Sequence, residues 1–161
     1  MSDIQITIDS TQVEALLSHL TGRLDHLQPT LETIGYTLSE NIRLTFRDLK
    51  SPDGVAWKQL SPVTISRRTN HSSVPLNDTG VLRNSIAYQM TGQAVEIGTI
   101  EVQAAVMNYG AKQGAFGKNK RNAPLPWGDI PARPFMPSEH LPTIWQDDVL
   151  DKVKDFLGIV E

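Results

Sequence analysis

The chain carries four histidines, His19, His26, His71 and His140, which are the first residues to weigh for metal chemistry. His19 and His26 stand seven positions apart on one predicted helix. Two turns is too far for both to hold one ion unaided, and there is no His-Glu-x-x-His pattern. The chain has no cysteine, which removes disulfides and thiolate metal sites. Gly117-Lys118-Asn119 has the outline of a phosphate loop, but the first glycine of that pattern falls on Lys112 and its Ser/Thr on Asn119. Prolines break the helix that would have to follow. Ser66, Ser72, Ser73 and Ser85 lack the glycines of a nucleophile elbow. Asp78, Arg83 and His71 can be drawn together as a catalytic cluster. Asp78 reads better as the N-cap of a short turn over 79–83, with Gly80 leaving room for close backbone approach. Leu82 and Ile86 then point into a core. On this reading "PLNDTGVLRNSI" (75–86) is a structural joint that ends a polar segment and launches a strand. The expectation is a protein with no catalytic, metal or cofactor site and no small-molecule substrate.

The elements that position these residues are legible as periodicity. Ile4, Ile6 and Ile8 alternate like a strand with one buried face. Thr11 and Glu14 fit a capping box, and Val13, Leu16, Leu17, Leu20, Leu24 and Leu27 continue as an amphipathic helix over 11–27. A second helix over about 30–50 carries Leu31, Ile34, Leu38, Ile42, Thr45 and Leu49 on one stripe, widened by Phe46. Ser51-Pro52-Asp53-Gly54 is turn chemistry that stops it. Trp57 and Leu60 are placed to clamp that turn to the body. Ser61-Pro62 can open a short helix with proline at its first position. Ile86, Tyr88 and Met90 alternate, Thr91-Gly92-Gln93 turns, and Val95, Ile97 and Thr99 alternate again, which predicts a hairpin. Val102–Tyr109 reads as a third strand or a short helix, with helix favoured at its end. Ser138 is placed to cap a last helix with Leu141, Ile144, Trp145, Val149, Val153 and Phe156 on one side. The fold class is α+β: a small antiparallel or mixed sheet packed against long amphipathic helices, in one domain over 1–161.

Between the hairpin and the last helix the character changes. Residues 110–137 hold Gly110, Gly114, Gly117 and Gly128 together with five prolines, and Lys112, Lys118, Lys120, Arg121 and Arg133 face only Asp129. A loop this long in a compact domain is functional or disordered. The net charge of −3 hides this pattern. Residues 1–50 hold four basic and seven acidic side chains, residues 51–137 nine and five, and residues 138–161 two and six. A basic middle between acidic ends suits the middle of one subunit meeting an acidic helix of another. Phe116 and Trp127 in the basic loop would permit base stacking, so a nucleic-acid-binding module using 110–133 is an alternative. Five cations on a net-acidic chain are a weak footprint for it, and this segment cannot form a recognition helix. Met1–Asp9 lacks a basic stretch followed by an apolar core, and no apolar run approaches membrane-spanning length. The expected location is the compartment of synthesis, with no membrane partner.

"PLNDTGVLRNSI", "VEIGT" (95–99), "AAVMNYGAKQG" (104–114) and "IPARPFMP" (130–137), with "SPDGVAWKQLSPVTISRR" (51–68), resemble the phage virion morphogenesis family. These are tail-completion proteins of Mu-type contractile-tailed phages and prophages. The resemblance covers about 30–137, and five short motifs in order are specific where one alone is not. It implies an α+β fold related to tail terminators and a structural role. That role would be a homo-oligomeric, hexameric ring at the head-proximal end of the tail, made in the bacterial cytoplasm and carried in the virion. Its partners would be the tail tube and neck proteins, with DNA only passing through the channel. A neck or head-completion protein on the portal side is the alternative. The resemblance transfers Asp78, Gly80 and Leu82 as the joint, Gly110 as a turn, and Arg133, Pro134 and Phe135 as the fixed end of the loop. Phe116, Lys118, Lys120, Arg121, Trp127 and Arg133 are the candidates for subunit or tube contact.

Overall fold

A computed structural model describes residues 26–68 and 72–158, together with Ser18, Thr21 and Gly22. The predicted strand at Ile4–Ile8 lies outside the described residues. So does most of the predicted helix over 11–27, of which Ser18, Thr21 and Gly22 are helical.

The central element is helix α1, Gln28–Asp48. Its stripe is the predicted one: Ile34, Leu38, Ile42 and Phe46 are all buried. Proline in the first turn starts it, where a missing N–H is tolerated. Leu49 ends it by turning left-handed, with its N–H bonded to the Thr45 carbonyl. The following turn closes through the Ser51 N–H and the Val55 carbonyl at 2.7 Å. Trp57 then folds back, buried, with its ring edge-on to Phe46 at 5.6 Å. It is the clamp the sequence suggests. Leu60 is only partly buried and lies on the surface described below.

Helix α2, Pro62–Arg67, starts where Ser61-Pro62 predicts, and the Ser61 hydroxyl accepts the Thr64 N–H at 3.2 Å. Helix α3, Val81–Asn84, is the short turn of the joint, but its N-cap is not Asp78. Gly80 is the N-cap, left-handed at φ 76°. An added Cβ at Gly80 would meet nothing closer than 3.7 Å. The glycine is therefore used for its backbone angle and not, as expected, for close approach. Leu82 and Ile86 point into the core as anticipated.

Strands β1, Ala87–Thr91, and β2, Ala94–Gly98, form an antiparallel hairpin in the register Tyr88↔Ile97 and Met90↔Val95. They make the one sheet among the described residues, and α1 crosses it. The crossing depends on Gly35. A Cβ there would sit 2.6 Å from Tyr88 Cδ2 and 2.6 Å from Val95 Cγ2, so glycine lets the helix lie directly on the hairpin. Arg43 ties the same helix to the strand's entrance through the Ile86 carbonyl at 2.6 Å.

Helix α4, Ala104–Tyr109, resolves the strand-or-helix alternative in favour of helix. Helix α5, Thr143–Leu157, packs along α1 through Trp145, Val149 and Val153 and through the Asn41 amide bonded to Asp148 at 2.9 Å. Ser138 does not cap it: the helix begins five residues later, after Pro142 in extended geometry. Proline pushes the residue before it out of the helical region, so Leu141 and its predecessors cannot join. Ile144, expected on the packed side, is 74 % exposed.

Candidate functional site

Residues 110–133 form neither a disordered loop nor a helix. The segment doubles back on itself as a finger. At its root, Ala111 and Ile130 exchange two backbone hydrogen bonds, at 3.0 and 2.7 Å. Further out, Gly114 donates to Pro126, Phe116 donates to Leu125, and Leu125 donates to Gly117. Near the tip Lys118 pairs with Pro124, and the Asn119 side-chain oxygen accepts the N–H groups of Arg121 and Ala123 at 2.9 and 3.1 Å. Glycine and proline had removed side-chain periodicity, but the backbone still pairs nearly throughout.

Three side-chain contacts brace the finger. The Asp129 carboxylate accepts the Gln113 N–H at 2.9 Å and pairs with Lys112 at 3.0 Å. The Gln113 N–H, and then the Lys112 ammonium, hold Asp129 below its ordinary carboxylate range. The Gln113 amide reaches the Trp127 carbonyl at 2.6 Å.

Where the finger rejoins the body, residues 133–136 are fixed from several sides. The buried Arg133 guanidinium donates to the carbonyls of Lys58 at 2.8 Å and Gln59 at 3.3 Å. Burial, followed by the nearby charge of Arg68, lowers its pKa from the ordinary arginine value. The Trp57 indole N–H donates to the Pro134 carbonyl at 2.7 Å. Phe135 is 1 % exposed and packs on Phe46 at 5.1 Å. Asn108, from α4, accepts the N–H groups of Phe135 and Met136.

The predicted contact residues therefore divide. Phe116, Lys118, Lys120, Arg121 and Trp127 are all exposed on the finger. Arg133 is not on an exposed surface at all. It is a buried strut, and it matches the expectation that Arg133, Pro134 and Phe135 fix the end of the segment. Of the residues drawn as a catalytic cluster, Asp78 is half-buried, Arg83 is exposed, and His71 lies outside the described residues.

Beside the finger's root runs a groove of about 710 Å³. It brings together four stretches far apart in sequence: residues 58–68, the joint at 76–82, α4, and residues 129–133. Leu60, Leu82, Met107 and Ile130 are among the apolar residues that line it. On the rim, Arg67 lies over the exposed Trp127 ring at 4.6 Å, a cation–π contact that links α2 to the finger. Arg67 and Arg68 close the "SPDGVAWKQLSPVTISRR" stretch, and no pattern in the sequence assigns a role to them, to Gly35 or to Asn108, although "AAVMNYG" contains the last.

Among the described residues there is no cluster of three or more metal-ligating side chains, and no helix long and apolar enough to cross a membrane. The finger and the groove lie side by side, with Arg67 and Trp127 in contact between them. The chain matches the phage virion morphogenesis family over residues 8–153 of its 161. It belongs to that family. The match extends on both sides of the 30–137 region in which the motifs were recognised. The chain is also similar to the Mu-like prophage FluMu G protein 2 of Haemophilus influenzae, 26% identical over 161 residues that cover 98% of each chain. No solved structure matches it. As a member of the phage virion morphogenesis family, the chain has a structural, morphogenetic role in building phage particles. The finger and groove are then the parts to examine for contacts within an assembly.

Proposed function

We propose that the chain completes the phage tail, assembling as a hexameric ring at the head-proximal end that stops tube growth and prepares the tail to join the head. The observation that carries this reading is the finger. It is an ordered projection, stapled at its root, that holds Phe116 and Trp127 58 % and 61 % exposed beside a row of cations. Paired backbone and a fixed root are costly to keep for apolar side chains that stay in water, and exposed apolar patches mark interaction sites. Similarity to a Mu-like prophage protein along its whole length supports the same role. Lys118, Lys120 and Arg121 at the finger's tip would face tube, neck or the passing DNA backbone without reading sequence.

The test is deletion of the gene from an inducible lysogen, followed by electron microscopy of the lysate. Tails of uncontrolled length, separate from full heads, are expected, with rescue by the wild-type chain. Tails of normal length that fail to join heads would move the protein to the portal side of the neck. Light scattering at low and high salt and several concentrations supplies the second measurement, with a closed hexamer expected.

A further inference from the structure

Two surfaces of this chain are complementary and cannot meet within one copy. The first is the groove. Polar side chains, Asp78 among them, share its lining with Leu60, Leu82, Met107 and Ile130, and Val63 and Val81 stand in that lining 58 % and 48 % exposed. Lys58 and Arg67 line its rim, and neither has an ion-pair partner among the described residues. Asp129, also at the groove, is already engaged by Lys112 and Gln113.

The second surface is the outer face of α5. Ile144 is 74 % exposed there. At 3.6 residues per turn, Asp147, Asp151 and Asp155 fall within about 60° of Ile144 around the helix axis. All three aspartates are exposed. The face thus presents an apolar side chain followed by a row of carboxylates, against a groove that presents apolar walls and a cationic rim.

Helix α5 cannot turn into the groove of its own chain. Trp145 is buried in the core, Val149 and Val153 pack against it, and Asp148 holds the Asn41 amide. No residue of α5 lines the groove. The matching surface must therefore come from another copy.

Resting on the ring reading, we propose that the groove of one copy seats the outer face of α5 of the next, with Ile144 against Val63 and Val81 and the aspartates toward Lys58 and Arg67. Two different patches meeting in this way make a head-to-tail contact, the kind that generates a ring when the rotation closes. Apolar burial supplies the affinity. The charges, exposed and screened, select the partner and its orientation.

The chain has no cysteine, so introduced thiols report the contact cleanly. Full-length Val63→Cys and Ile144→Cys chains, one carrying a size tag, are mixed and mildly oxidised after circular dichroism has verified their folds. Mixed-size dimers are expected in at least tenfold excess over either homodimer. A chain carrying both cysteines is expected to give a ladder ending in a closed species. Adding Arg67→Glu to the Val63→Cys chain should cut the mixed product at least tenfold, and adding Asp151→Arg to the Ile144→Cys chain should restore it.

Homodimers as abundant as mixed dimers would overturn the proposal. Absence of mixed dimers while light scattering shows wild-type oligomers would overturn the groove contact and leave the ring reading standing. Absence of mixed dimers with a monomeric wild type overturns both. A ladder that grows without closing supports the groove contact and overturns the closed ring.

Discussion

The Oδ1 atom of Asn108 lies 2.9 Å from the backbone nitrogen of Phe135, a residue 27 positions further along the chain. The same oxygen takes the Met136 N–H at 3.0 Å. One buried carboxamide therefore satisfies two backbone donors of a segment that pairs with no strand among the described residues. Replacing it with leucine leaves both donors without an acceptor, at a cost of about 1–3 kcal/mol each. Urea unfolding of Asn108→Leu is expected to show a loss of about 2–4 kcal/mol. Asn108→Asp, which keeps the acceptor, should lose less.

The crossing of α1 over the hairpin makes Gly35 a second point of sensitivity. Alanine is the better helix former by about 1 kcal/mol. Its methyl would nonetheless fall 2.6 Å from both Tyr88 and Val95, and overpacking of that kind costs about 1–3 kcal/mol. Gly35→Ala should be net destabilising and Gly35→Val more so, read as a shift in urea midpoint with an unchanged slope. A stabilised Gly35→Ala would mean that the hairpin yields to the helix.

Gly80 and Gly110 share a φ of 76°, but ψ is −3° at Gly80 and 178° at Gly110, a region essentially restricted to glycine, and their surroundings differ as well. At Gly80 an added methyl meets only the Asn77 and Asn84 side chains at 3.7 Å, an ordinary contact, and alanine should cost about 1–2 kcal/mol for the left-handed backbone alone. At Gly110 the methyl would lie 2.7 Å from the Ile130 carbonyl oxygen and 2.8 Å from the Ala132 nitrogen, both backbone atoms. Overpacking there adds about 1–3 kcal/mol, so Gly110→Ala should be clearly the worse of the two in thermal melts.

The finger should loosen in acid. Asp129 is lowered below its ordinary value of 3.8, chiefly by the Gln113 N–H and secondarily by Lys112. A carboxylate with a depressed folded pKa contributes stability above its unfolded value, and that stability is lost as pH falls through the folded pKa. Amide exchange at Gln113 and Trp127 emission should therefore change below the ordinary carboxylate pKa while the core around Phe46 stays protected. Asp129→Asn should abolish that pH dependence. The effect is local, since the carboxylate is exposed.

Much of the architecture was written in local patterns. The three-and-four spacing of Ile34, Leu38 and Ile42 identifies α1, alternation identifies the hairpin, and Ser61-Pro62 marks α2. The contacts that set the finger's root were not legible. Trp57 and Pro134 stand 77 residues apart, and no periodicity links them. The finger itself is built from backbone pairing among glycines and prolines, which leaves no alternation to read. Ser138 and Asp78 failed as caps for a shared reason: both residue types favour helix starts, but Pro142 and the left-handed Gly80 set the actual boundaries. Five of the six contact candidates are exposed, because a run rich in charge and glycine supplies nothing to cover its aromatics. Arg133, expected both as the fixed end of the segment and as a contact candidate, is buried because Lys58 and Gln59 supply carbonyls that sequence does not reveal.

Residues 133–136 can also be viewed as a mechanical joint. Bonds from Trp57, and from Arg133 to Lys58 and Gln59, tether this short run to residues 57–59, Asn108 tethers it to α4, and Phe135 presses it onto α1. The finger is then a cantilever with a clamped root. Load applied at Phe116 or Arg121 would pass into the central helix and bypass the hairpin, which is tied to the body through α1 and the joint. A neighbour pulling on the finger would displace the whole core as one unit, and β1 and β2 would be carried along without bearing the strain.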